Sequence, residues 1–227
     1  MADTSQLIDY LPSYVFPTAE RRLCKNIVCG ISLGGHAAWQ CIFLEPRITA
    51  GISVIGCPDY IRLMSDRARL SKLRSWSDGT FIGSQDFPKD LLNVVSTHDP
   101  ASLTLRNLCS LEDRDSFLGK ILTEQDGALI EERLQLLRGK VFFNLSGAED
   151  KLVPYRASEP YVNWLMNNVT STVANINVDF QLRNKIYDGV GHTLTLDMAM
   201  DVERFIVDIL SQSSQVSQSP NVETAKI

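Results

Sequence analysis

Three side chains in this sequence have the types and the chain order that nucleophilic acyl chemistry requires. Ser32 lies in Gly30-Ile31-Ser32-Leu33-Gly34, Asp150 follows the apolar run from Val141 to Gly147, and His192 ends Gly189-Val190-Gly191-His192. A serine hydroxyl is a weak nucleophile until a base takes its proton, and a histidine acts as that base when an acid fixes its tautomer. Ser32 is therefore the candidate nucleophile, His192 the candidate general base and then acid, and Asp150 the candidate orienting acid. Asp59, which follows the next strand after the serine, is an alternative acid, and Glu149 is another. His36, four residues beyond Ser32, is read as lining or packing near the site. Each also has a plain structural reading: a glycine-rich loop, a surface carboxylate, a turn histidine.

The elements around these residues have the form the chemistry needs. Asn26 to Cys29 reads as a strand and residues 33–45 as a helix ended by Pro46, so Ser32 sits on a tight strand-to-helix turn, a nucleophile elbow. Gly30 and Gly34 keep the flanks of that turn nearly free of side chain, and Gly35 gives the helix room against the sheet. The turn exposes the Ser32 hydroxyl and aims the Leu33 backbone N–H at a developing oxyanion, beside the positive end of the helix. Ile48 to Pro58 is an apolar, β-branched run of the kind buried in parallel sheets, which makes a βαβ unit. Further strands are expected at residues 140–147 and 176–187, the latter alternating and near a sheet edge, and helices at 157–168 and 195–210. Parallel strands would bring the loops carrying Ser32, Asp150 and His192 to one end of the sheet, where open α/β sheets bind ligands.

Elsewhere the pattern is looser. Residues 4–16 predict a short helix interrupted or kinked at Pro12. Residues 59–128 form a helical insertion or cap after the second strand, with a loop at 75–80, a helix starting at Pro88 and a turn at Asp99-Pro100 that leaves His98 on the surface. Residues 129–137 predict a helix terminated by Gly139. The Ser- and Gln-rich stretch 211–227 is expected to be disordered, leaving residues 1–210 as one domain.

Composition excludes several function classes. The chain has 227 residues, 44% hydrophobic and 22% charged, with a net charge of −5, so nothing favours a nucleic-acid partner. No apolar run is long enough to span a bilayer, and the first residues lack a leader pattern, so no membrane partner and a cytoplasmic location are expected. Five cysteines without paired spacing read as reduced and mostly buried, and three histidines without a ligand motif give no metal site. The sequons at Asn144-Leu145-Ser146 and Asn168-Val169-Thr170 read as chance.

The elbow around Ser32, the turn Gly147-Ala148-Glu149-Asp150-Lys151-Leu152-Val153-Pro154 and the His192 loop together resemble the α/β-hydrolase superfamily over residues 5–210. The resemblance implies a mostly parallel sheet flanked by helices and hydrolysis of a small-molecule ester, thioester, lactone or amide through an acyl-enzyme, without a cofactor. The overall character is similar to fungal hydrolases of the esterase and dienelactone-hydrolase kind, some of them tied to secondary metabolism. One departure stands out: the family places four strands and a second oxyanion donor before the elbow, whereas 31 residues precede Ser32 here. The expected fold is thus N-terminally shortened, with Leu33 N–H the one identifiable oxyanion donor. Ile27-Val28-Cys29 then forms a bare edge, which fits a truncated gene product, a partner or second copy that completes the sheet, or a shortened variant with altered function. Two rival functions accompany the hydrolase: a catalytically impaired binding or assembly subunit, and a non-hydrolytic condensation or cyclisation enzyme.

Overall fold

The computed structural model describes residues 2–169, 174 and 176–216. In chain order the elements are α1 (Ala2–Val15), β1 (Asn26–Ile31), α2 (Leu33–Leu44), β2 (Ile48–Val54), α3 (Tyr60–Leu70), α4 (Arg74–Ser77), α5 (Lys89–His98), α6 (Pro100–Leu105), α7 (Arg114–Leu118), α8 (Glu124–Leu134), β3 (Val141–Gly147), α9 (Tyr155–Asn168), β4 (Gln181–Tyr187) and α10 (Leu196–Val216). The chain divides into two units, Met1–Thr193 and Leu194–Ile227, the second holding α10. No helix among the described residues is long and apolar enough to cross a membrane.

The expected α/β architecture is present. Among the described residues, four parallel strands form one sheet in the order β1-β2-β3-β4, with β1 and β4 at its edges. The register aligns the strand ends: Ile31 pairs with Val54, Val54 with Leu145, and Gly147 with Tyr187. The segments carrying Ser32, Asp59, Asp150 and His192 therefore all leave the sheet at its C-terminal end.

The helix that leaves the elbow is anchored at both ends. Trp39 is fully buried, its ring centroid 4.2 Å from that of Phe142, and its indole N–H donates to Asn144 Oδ1 at 3.2 Å. Asn144 is itself buried and also donates to Asn184 Oδ1 at 2.9 Å, so the first sequon is a core amide. At the far end Lys140 Nζ donates to the carbonyls of Ile42 and Glu45 at 2.8 and 2.9 Å, closing the C-terminus of α2. Burial of that ammonium pulls Lys140 down to about 8.

Several boundaries differ from the sequence-based expectations. Helix α1 runs through Pro12 without interruption. Strand β2 stops at Val54, because Ile55 takes a positive φ of 49° and turns its N–H onto Leu145 O. Residues 74–77 are a helical turn where a loop is expected. Helix α8 starts at Glu124 because Thr123 and Asp126 form a reciprocal capping box. Strand β4 begins at Gln181, leaving residues 176–180 outside the ladder. Helix α10 continues to Val216, so the expected disordered tail is helical over residues 211–216, and residues 217–227 lie outside the described residues. Cys24 and Cys29 are exposed, Cys109 is half-buried and Cys41 and Cys57 are buried, which corrects the expectation of mostly buried thiols; no disulfide forms among the described residues.

Candidate active site

Ser32 follows β1 directly and holds φ 55° and ψ −113°, a strained conformation for a residue with a side chain. The surroundings determine it: Ser32 N–H donates to Val54 O at 2.8 Å, and Ser32 O accepts from His36 N–H at 3.1 Å. The glycines divide unequally. A Cβ on Gly30 would lie 1.9 Å from Gly34 O, and one on Gly35 would lie 2.9 Å from Gly56 Cα. Gly34 has open space at its Cβ position, so the steric need expected there falls on Gly35 instead.

Ser32 Oγ lies 2.8 Å from His192 Nε2, and His192 Nδ1 lies 2.7 Å from Asp150 Oδ2. Asp150 is buried, and its other oxygen, Oδ1, accepts from the backbone N–H of Leu152 at 2.8 Å and of Val153 at 2.9 Å. The loops that present the acid and the histidine are laced together: Ala148 N–H donates to Tyr187 O and Glu149 N–H to Val190 O, both at 2.9 Å. Gly147 permits this approach, since a Cβ there would come within 2.3 Å of Val190 O. Leu33 opens α2, so its N–H is one of the helix's free N-terminal donors, while its side chain is 79% exposed.

The two candidate acids separate. Asp59 does not partner His192; it is a fully buried N-cap of α3 that accepts from Arg62 N–H at 3.1 Å and from Arg114 Nη1 at 3.0 Å. Arg114 Nη2 donates to Ser102 Oγ at 3.0 Å, and Ser102 Oγ donates to Asp99 Oδ2 at 2.9 Å, giving a buried chain Asp59–Arg114–Ser102–Asp99. Burial, and after it the nearby Asp59 charge, pushes Asp99 up to about 7. The Asp99-Pro100 turn is thus a buried cap of α6, and His98, expected on the surface, is half-buried beside it. The sequence signal for it was an Asp before a Pro at a helix start; nothing in the sequence links Asp99 to Arg114.

His36 Nδ1 sits 2.8 Å from Cys57 O and 3.1 Å from Cys57 N, with its ring nearly perpendicular to that of Tyr60. Burial lowers its proton affinity, against the Cys57 hydrogen bond, and the charges of Arg67 and His192 add to the lowering. Two cavities, of about 640 and 400 Å³, are lined largely by the insertion, including Arg62 and Asp115 in both; neither is lined by Ser32, Asp150 or His192.

Neither a scan against protein-family models nor a search of curated proteins returns a match. Solved structures do match. A puromycin hydrolase is 14% identical over 81% of this chain and 21% of its own, with a TM-score of 0.46. The acylaminoacyl peptidase of Pyrococcus horikoshii is 13% identical over 84% of this chain and 23% of its own, with a TM-score of 0.46. SOBER1 of Arabidopsis thaliana is 12% identical over 91% of this chain and 64% of its own, with a TM-score of 0.43. This chain spans less than two thirds of the length of each.

Proposed function

We propose that the chain is a serine hydrolase that cleaves a small ester, thioester or lactone through an acyl-enzyme, with Ser32 as nucleophile, His192 as base and acid, and Asp150 as orienting acid. The observation that carries this reading is the unbroken line from Ser32 Oγ to His192 to Asp150, at 2.8 and 2.7 Å, with the serine held at positive φ on a strand-to-helix turn. Asp150 holds the proton on Nδ1 and leaves the Nε2 lone pair facing the hydroxyl. As Oγ attacks the carbonyl carbon, its proton passes to Nε2 and the carbonyl π pair moves to oxygen, where Leu33 N–H and the α2 N-terminus stabilise the charge. Collapse expels the leaving group, which takes the proton from Nε2. Water then repeats the sequence on the acyl-enzyme and returns free Ser32. Every group in this scheme belongs to the chain, and no cofactor enters it.

The test is labelling by a fluorophosphonate probe. Ser32 is expected to be labelled, and Ser32→Ala and His192→Ala to lose the label while staying folded. A folded, monodisperse protein that takes no label would overturn the proposal. A second reading, an assembly subunit on the same fold, is favoured by the sheet edge at β1 and by the exposed stripe Leu7, Tyr10, Leu11 and Tyr14 on α1, spaced three to four residues apart. A partner or second copy over Ile27-Val28-Cys29 belongs to that reading, and an absent label together with a stable oligomer in sedimentation would favour it.

A further inference from the structure

We infer that Arg67 is a positioning residue that delivers its positive charge to Asp150 through a single peptide group. The inference rests on the role proposed above for Asp150. Arg67 projects from α3 across to the loop after β3, where Nε and Nη2 donate to Leu152 O at 3.2 and 2.5 Å. That carbonyl belongs to the same peptide unit as the Val153 N–H, and the Val153 N–H donates to Asp150 Oδ1 at 2.9 Å. The chain of contacts is therefore guanidinium, carbonyl, amide N–H, carboxylate, imidazole, hydroxyl. A cation on the oxygen side of a peptide draws electron density from its nitrogen and makes the N–H a stronger donor, so the hydrogen bond to Asp150 strengthens without Arg67 touching it.

The arginine's own choice of partner supports this. Carboxylates are at hand on the same helix: Asp66 pairs with Arg69 and Arg156, each at 2.7 Å. Arg67 instead directs its fork to a carbonyl, with Nη1 near Met64 Sδ at 3.9 Å. Its charge is thus not neutralised by a direct ion pair among the described residues. The charge reaches the site, being one of those that lower His36. Fixing the Leu152–Val153 peptide also fixes the direction in which Oδ2 points, and hence which nitrogen of His192 keeps the proton.

The experiment compares wild type, Arg67→Gln and Arg67→Lys. Arg67 is exposed, so all three are expected to fold, which thermal melts check. With a chromogenic ester, kcat should fall about tenfold in Arg67→Gln with KM held within about twofold, and Arg67→Lys, which keeps the charge, should recover most of kcat. Imidazole 15N shifts of His192 give a readout independent of turnover: one protonated Nδ1 and one bare Nε2 in wild type, and tautomer-averaged shifts in Arg67→Gln. Unchanged His192 shifts in Arg67→Gln, or a wild type already tautomer-averaged, would overturn the inference. A wild type that takes no fluorophosphonate label but shows the shift change would remove the hydrolase reading and leave Arg67 as the residue that positions Asp150.

Discussion

Replacing Asp150 by Asn separates the chemistry of the site from its architecture. The wild-type carboxylate uses its two oxygens differently: Oδ1 takes the Leu152 and Val153 N–H groups, and Oδ2 takes His192 Nδ1. In Asp150→Asn the amide oxygen keeps both backbone donors, so the loop holds, but the NH₂ group now faces His192 Nδ1. The imidazole must accept there, its proton moves to Nε2, and the nitrogen 2.8 Å from Ser32 Oγ can no longer take the hydroxyl proton. Loss of the correct tautomer costs about 10⁴ in kcat, or roughly 5.4 kcal/mol of barrier. Asp150→Ala differs in kind, because it strands two backbone donors at about 1–3 kcal/mol each and so lowers stability by roughly 2–6 kcal/mol as well. The assay pairs p-nitrophenyl ester hydrolysis and probe-labelling rate with urea melts of both variants. An Asp150→Asn protein that keeps more than about a tenth of the wild-type rate, or that loses as much stability as Asp150→Ala, would refute this division of labour.

Two further predictions come from the fold. Gly30→Ala drives a Cβ to within 1.9 Å of Gly34 O, backbone that cannot yield, and is expected to cost more than about 3 kcal/mol in denaturant melts; Gly34→Ala meets open space and should be neutral or stabilising by up to about 1 kcal/mol. Asp99 binds its proton more tightly folded than unfolded, so its contribution to stability is complete below the ordinary value of 3.8 and is lost as pH rises toward about 7. Melting temperature should show that falling component across this window, and Asp99→Asn should remove it; an identical pH slope in the variant would contradict the assignment.

The elbow was legible because its physical cause is confined to a few residues: an apolar strand, glycine where the helix returns upon it, and a serine between. The parallel sheet was legible from the β-branched run at residues 48–54 and the apolar run at 141–147. Boundaries set by a backbone turn escaped, as at Ile55, whose positive φ no β-branched residue advertises. Thr123 and Asp126 carry a local capping signal outside the apolar periodicity, and it starts α8 earlier than that periodicity predicts. The buried pair of Asp59 and Arg114 joins residues 55 apart in the chain, and Arg67 meets Leu152 at a separation of 85, so neither has any sequence signature.

Which carboxylate stands beside the histidine illustrates where sequence reasoning stops and topology begins. Both Asp59 and Asp150 follow strands that end at the same side of the sheet, and on composition alone either serves. Strand order separates them. His192 follows β4, β4 pairs with β3, and the loop after β3 is tied to the His192 loop through Glu149 N–H and Val190 O. Asp59 follows β2 and is drawn away by the N-terminus it caps and by Arg114. A carboxylate already neutralised by a buried guanidinium has little charge left to stabilise an imidazolium. Asp150 has its two backbone donors on one oxygen and the imidazole on the other, an arrangement that fixes the direction of the carboxylate. The acid is thus selected by the adjacency of two strands that are 34 residues apart in the chain, from Gly147 to Gln181.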